Sequence, residues 1–297
     1  MIDRLRFVIL SLLSFAGFLF LTSSCEQFEG DQTVPAYLKI DSIYLQTDYS
    51  TEGTHFQYFT DAWVYVDDNL VGAFQLPAEF PVLARGTHKI TISPGIKVNG
   101  VSATRSNYPF CKSIIRTMDL YEDSTINLGA LKTTYESSTE FFMIEDFDGV
   151  SLSLDTTNRS VTGILRSPAG YPSTFEGSHS GLIIMDSVGG MFECTNKTDF
   201  EIPLAPVFME IHFNTNNPVA VGVFLYGYSS IIQQAVLYLN KTDGEWKKIY
   251  VDLTNALNSE TGMQKFRIFF SAIQEEGVDT AVIRLDNIKV MTRDLSK

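Results

Sequence analysis

Val219-Ala220-Val221-Gly222-Val223-Phe224-Leu225-Tyr226-Gly227-Tyr228 is the run that decides the fold. β-Branched and aromatic residues dominate it and no charge or proline interrupts it, so it reads as a strand. Side chains alternate across a strand, which puts Phe224, Tyr226 and Tyr228 on one face and Val223 and Leu225 on the other. Runs of the same kind occupy 181–185, 207–213, 235–239, 246–253, 265–273 and 281–290. Many short strands separated by Gly, Pro, Asn and Asp predict a β-sandwich or jelly roll over 141–291.

Upstream, 36–133 is also rich in alternation and turn residues, with no long helical period. Strands are expected at 37–45, 62–66, 70–74, 86–92 and 124–131. Asp67-Asp68-Asn69 separates the second and third, and these residues tolerate left-handed backbone, so a tight hairpin follows. Pro94-Gly95 is expected to end the fourth strand. The polar stretch from Thr133 to Glu140 is the expected seam between two all-β domains, 36–133 and 141–291.

The order Val64-Tyr65-Val66-Asp67-Asp68-Asn69-Leu70-Val71-Gly72, then Gly86-Thr87-His88-Lys89-Ile90-Thr91-Ile92, resembles PEGA-type and other small Ig-like sandwiches of bacterial surface proteins. That resemblance implies a structural or adhesive module. Three further landmarks are Ile144-Glu145-Asp146-Phe147-Asp148-Gly149, Gly177-Ser178-His179-Ser180-Gly181-Leu182-Ile183-Ile184 and Ile283-Arg284-Leu285-Asp286-Asn287-Ile288-Lys289-Val290. Together they resemble the opening, second and last strands of carbohydrate-binding jelly rolls of the galactose-binding-like type. The resemblance implies that the first and last strands are neighbours, which would bring Asp148 and Asp286 together as ligands of a structural calcium. With the landmarks complete inside 141–297, that segment is expected to fold by itself.

At the N-terminus, Arg4 and Arg6 precede an uncharged apolar run, Phe7 to Leu21, which ends in Thr22-Ser23-Ser24-Cys25. A membrane-spanning helix is one reading of that length. The abrupt stop of small residues before a cysteine instead resembles a bacterial lipobox, implying cleavage after residue 24 and acylation of Cys25. The acidic stretch that follows, 25–35, reads as a tether and resembles that of Bacteroidota surface lipoproteins. Asp-Ser/Thr-aliphatic or small triplets place candidate O-glycosylation at Ser42, Ser124, Thr156, Ser187 and Thr280, again by resemblance to that group. The expected location is the outer membrane, through a lipid anchor and facing the cell surface.

A net charge of −13, with Lys and Arg scattered, excludes a nucleic-acid partner. With Cys25 used by lipid, Cys111 and Cys194 remain, and buried free thiols are favoured over a disulfide between domains.

Catalytic patterns are missing. His55, His88, His179 and His212 have no metal spacing, and no GxSxG elbow, phosphate loop, CxxC or E-x-D-x-(x)-E strand occurs. Glu210 and His212 share a strand face opposite Met209, Ile211 and Phe213, and that face is expected to be a polar, solvent-facing row. Tyr226, Tyr228, Tyr238, Tyr250 and Arg267 are the candidate ligand face, because aromatic rings stack on sugar rings while polar tips fix hydroxyls. Sandwich cores use the same residue types, so core packing or protein contact is the competing explanation. The expected function is that of a non-enzymatic binding or scaffolding subunit of a cell-envelope complex, partnered by another outer-membrane or surface protein. Surface glycan binding is the alternative, and glycoside hydrolysis a remoter one.

Overall fold

The computed structural model describes residues 34–171, 174–187 and 189–296. The expected signal peptide, Cys25 and the tether to residue 33 lie outside the described residues.

Among the described residues the chain is almost all β, with two single-turn helices, α1 (Tyr49–Glu52) and α2 (Thr254–Leu257). In the N-terminal half, β1 (Ala36–Leu45) lies between β4 (Ala78–Val82), antiparallel, and β8 (Thr125–Thr133), parallel. A second sheet runs β3 (Asn69–Gln75), β2 (Asp61–Val66), β5 (Gly86–Lys97) and β6 (Arg105–Asn107), with β7 (Ile114–Leu120) also on β5. Leu38, Ile40, Phe80 and Leu131 of the first sheet share one core with Ala62, Val64, Ile90 and Ile92 of the second. The β2–β3 turn is the tight hairpin expected: Asp67 and Asp68 sit at φ 47° and 66°. Asp67 is held there, accepting from the Lys89 amide at 3.0 Å and pairing with His88 at 2.6 Å.

Pro94-Gly95 does not end its strand. β5 continues to Lys97, pairing Pro94 with Ala62 and Gly95 with Asp61. Proline removes only its own donor; its carbonyl still accepts from the Tyr108 amide at 2.8 Å.

The C-terminal half is a sandwich of two six-stranded sheets. One runs β10 (Leu154–Thr156), β13 (Met191–Asn196), β19 (Met263–Ile273), β16 (Val219–Gly227) and β17 (Ile231–Leu239), with β14 (Phe200–Glu201) also on β19. The other runs β11 (Leu165–Arg166), β12 (Gly181–Met185), β20 (Ala281–Arg293), β15 (Phe208–Thr215) and β18 (Lys247–Asp252), with β9 (Thr139–Glu145) on β20. The first and last strands of this half are therefore paired, Glu145 opposite Ile288. Val219, Val221, Val223, Leu225, Ile268 and Phe270 share a core with Met209, Ile211, Phe213, Ile283, Leu285 and Val290. Each such side chain, fully buried, contributes about 1.5–3 kcal/mol.

The two halves share packing. β15 is buried at every position, so its outer row is covered as well as its inner one. Phe208, Tyr250 and Met291 belong to the N-terminal core, against Tyr108, Phe110 and Tyr135. The 98–99 loop seals the edge of β18: Asn99 donates to the Tyr250 carbonyl at 2.8 Å, and its side chain accepts from the Asp252 amide at 2.9 Å. The segment between β8 and β9 is tied down, with Tyr135 and Ser138 buried and Arg293 donating to the Ser138 hydroxyl at 3.0 and 3.1 Å. Cys111 and Cys194 are free and buried, and burial pushes both thiols up, away from the reactive thiolate.

Candidate functional site

The outer face of the β10-β13-β19-β16-β17 sheet carries the site. Because Val219, Val221, Val223 and Leu225 fill the core, Ala220, Gly222, Phe224 and Tyr226 must face outward. Register then decides their company. Phe224 lies opposite Arg267 and Gln233, and Tyr226 opposite Lys265 and Ile231. On the far side, β13 places Glu193 opposite Ser271 and Thr195 opposite Phe269, and β10 places Asp155 opposite Thr195. Gly222 is required here: a Cβ would come 2.1 Å from the Gln234 carbonyl and 2.7 Å from the Phe269 ring.

These residues line a cleft of about 530 Å³ that includes Asp155, Arg159, Glu193, Phe224, Tyr226 and Arg267. The Arg267 guanidinium sits 5.6 Å from the Tyr226 ring centroid and donates to Asp199 at 2.6 Å. Burial, opposed by the Arg267 charge, raises the Tyr226 hydroxyl above its ordinary value, so it stays a neutral donor. At the other end Glu193 is 1% exposed and fully engaged. It accepts from Thr157 Oγ1 at 2.8 Å, Gln233 Nε2 at 2.7 Å and Arg159 at 3.2 Å. Two cations lining the cleft are paired, Arg159 with Glu193 and Arg267 with Asp199, while Lys197 donates to the Leu152 carbonyl at 2.8 Å.

Of the five candidate ligand residues, the fold brings Tyr226 and Arg267 together. Tyr228 follows β16 and is 92% exposed outside the cleft lining, and Tyr238, on β17, is exposed opposite Ala220. Tyr250 is a correction. β18 pairs with β15 in the opposite sheet, so Tyr250 cannot share a face with Tyr226; it is buried, with its hydroxyl accepting from the Tyr58 amide at 2.9 Å. Asp155, Arg159, Glu193 and Gln233 were missed as candidates. The short runs that bear Asp155 and Glu193 show little alternation, and Arg159 lies outside any strand, so the signal available was only their acid and base character.

Glu210 and His212 also need correction, because their row is buried rather than solvent-facing. Register sets Tyr250 and Lys289 opposite Glu210, and Lys248 and Asp286 opposite His212. Glu210 accepts from Lys248 at 2.7 Å, Gln57 at 2.8 Å, Tyr135 at 3.3 Å and, very closely, Tyr108. Burial pushes its carboxyl up, but the Lys248 and Lys289 charges and these donors hold it down at about 2. His212 stacks on Phe175 at 4.1 Å; burial and the same two lysines keep it neutral. The cluster ties the halves together.

Asp148 accepts from the Ser178 and His179 amides, each at 3.0 Å. Asp286 accepts from the Asn287 amide at 2.8 Å, and burial, with Glu176 and Asp148 nearby, pushes it up to about 8. Among the described residues no group of three or more His, Cys, Asp or Glu side chains is placed to hold a metal ion. Of the O-glycosylation candidates, Ser42, Ser187 and Thr280 are exposed, while Ser124 and Thr156 are half-buried.

No protein-family description and no curated protein matches the chain. It is similar to solved structures of carbohydrate-binding modules. One, from work on promiscuous specificity in modules of the β-sandwich superfamily, is 13% identical with a TM-score of 0.36, over 77% of this chain and 84% of that one. A family 61 module in complex with β-1,4-galactotriose is 13% identical with a TM-score of 0.31, over 48% of this chain and 87% of that one. The xylan-binding domain of family 22 is 8% identical with a TM-score of 0.35, over 52% and 95%. Likeness at this level extends no further than the all-β sandwich class that the sheets display directly.

Proposed function

We propose that this protein is a non-catalytic, lipid-anchored surface protein that binds a neutral glycan in the cleft bearing Tyr226 and Arg267. One observation carries the reading: a half-exposed aromatic ring and a guanidinium fixed by Asp199 stand on the same outer face as Asp155 and Thr195, above a packed floor. Rings give stacking area, and polar tips supply directed hydrogen bonds to hydroxyls. Neutrality follows from the charge balance: Arg159, Lys197 and Arg267 stand with Asp155, Glu193 and Asp199, which leaves no surplus positive charge to attract a uronate or sulfate. Binding without turnover follows from Glu193, whose oxygens are already engaged, so that it is poorly disposed to act as acid or nucleophile.

The test is a glycan array followed by titration calorimetry. Tyr226→Ala should weaken retention at least about tenfold with unchanged melting, since the ring is partly exposed. An array that stays blank with wild type removes the reading, and release of reducing ends replaces it with hydrolysis.

A second reading, a subunit of an envelope complex held by another outer-membrane or surface protein, draws on β17. That edge strand, Ile231-Ile232-Gln233-Gln234-Ala235-Val236-Leu237-Tyr238-Leu239, has no charge or proline and exposes Ile231 and Tyr238. Recovery of one defined envelope protein in a pull-down, lost on Ala235→Lys, would favour it.

Anchoring rests on the 1–25 sequence, and Cys25→Ala should leave the precursor uncleaved and unacylated by mass spectrometry. A structural calcium at Asp148 and Asp286 stays within the proposal; it requires millimolar calcium to raise the melting temperature and Asp286→Ala to abolish the rise.

A further inference from the structure

We propose that the cleft receives the end of a glycan chain and not its interior, an inference that rests on the glycan-binding reading above. A chain lying across a sheet needs a groove open at both ends. Here one end is walled. Glu193 on β13 and Gln233 on β17 come from strands separated by β19 and β16, yet Gln233 Nε2 donates to Glu193 Oε2 at 2.7 Å. Their side chains therefore meet above the two intervening strands. Small outward residues make room for this: Ser271 and Ala220 lie in register with Glu193, and Gly222 is next along β16.

Arg159 completes the wall. It donates to Glu193 at 3.2 Å and to Gln233 Oε1 at 3.1 Å, while Thr157 holds the second Glu193 oxygen. Phe269 projects from this outer face and is nonetheless 2% exposed, as a residue roofed by such a bridge should be. At the opposite end, Tyr226 is half-exposed and Ile231 exposed, and Lys265, opposite Tyr226, pairs with Glu201 at 3.6 Å and not across the cleft. The cleft is thus open beside Tyr226 and closed beside Arg159. A terminal sugar that enters past Tyr226 stops at the wall, where Arg159, Asp155 and Thr157 can meet its end hydroxyls.

The wall is not a fold requirement, since Gln233 is exposed on an edge strand and Glu193 keeps Arg159 and Thr157 without it. The experiment uses the full chain and neutral β-linked gluco-, galacto-, manno- and xylo-oligosaccharides, from disaccharide to hexasaccharide, with the parent polysaccharides before and after limited hydrolysis. Expected for wild type is an affinity that stops rising by the trisaccharide, changing no more than about threefold beyond it. Polysaccharide capacity should rise in proportion to the chain ends that hydrolysis creates. Gln233→Ala should extend the length dependence to the hexasaccharide and raise retention on intact polysaccharide about tenfold. Wild-type affinity that climbs with every sugar, or capacity indifferent to hydrolysis, overturns chain-end recognition while leaving glycan binding intact. An unchanged length profile in Gln233→Ala overturns the wall. No binding to any member of the series overturns the glycan reading and this inference together.

Discussion

Glu210 shows what one buried carboxylate does when its partners come from two halves of a chain. It is fully buried, with Lys248 from β18, Gln57 from the N-terminal half, and Tyr108 and Tyr135 all donating to it. Removing one member leaves the others as uncompensated buried charge, so Glu210→Gln should cost about 3–5 kcal/mol in chemical denaturation. The pH dependence has a definite sign. Its folded value lies near 2, below the ordinary 4.5, so the stability it contributes is present above pH 4.5 and lost as pH falls toward 2. Asp286 works in the other direction: its folded value near 8 exceeds the ordinary 3.8, so its contribution is full below 3.8 and lost as pH rises to 8. Melting profiles should therefore lose their acid limb in Glu210→Gln and their decline between pH 3.8 and 8 in Asp286→Asn.

Strands β15, β16 and β18 differ in how far their alternation fixes their surroundings. β16 shows clean alternation, and its faces are as the sequence predicts, apolar inward and Phe224 with Tyr226 outward. Alternation in β18 likewise assigns Tyr250 to one face of its own strand, but it is silent on which sheet that strand joins. Pairing with β15 places Tyr250 at the seam. Tyr250→Ala should accordingly cost about 3–5 kcal/mol and leave glycan retention intact in whatever protein remains folded, the reverse of Tyr226→Ala. β15 misleads differently. A strand buried on both faces ordinarily reads as continuously apolar, whereas the outer row here is Phe208 followed by the polar Glu210, His212 and Asn214; Glu210 and Asn214 take hydrogen-bond partners distant in sequence, and His212 stacks on Phe175. Gly222 sets the contact between β16 and β17. Gly222→Ala should cost about 1–3 kcal/mol through the clash with the Gln234 carbonyl, and hydrogen exchange should report β17 opening first.

At the scale of the whole molecule the two sandwiches are one packing unit. Phe208, Tyr250 and Met291 sit in the N-terminal core, and Lys289 donates to the Thr54 carbonyl at 2.7 Å. Residues 141–297 alone would expose these side chains and strand Glu210, Lys248 and Lys289 without Gln57, Tyr108 and Tyr135. The expectation that this segment folds by itself is thus opposed by its shared core. Calorimetry of the full chain should show one transition. The isolated segment should melt earlier or associate, and a monomer melting with the full chain would show that the seam contributes little.

Periodicity was enough for the strands of the C-terminal half that alternate cleanly and for the all-β class, and turn chemistry for the Asp67-Asp68 hairpin, because a strand's face pattern and a turn's backbone demands are written in neighbouring residues. Short-range chemistry also flagged Tyr226 and Arg267, although not that Asp199 would fix the arginine. Which sheet β18 joins, which outer face lies open and which is roofed by the other half, and the meeting of Glu193, Gln233 and Arg159 were decided only by tertiary structure. Each depends on strand register and docking between residues far apart in the chain, and no local pattern encodes the partner of a polar side chain that distance has hidden.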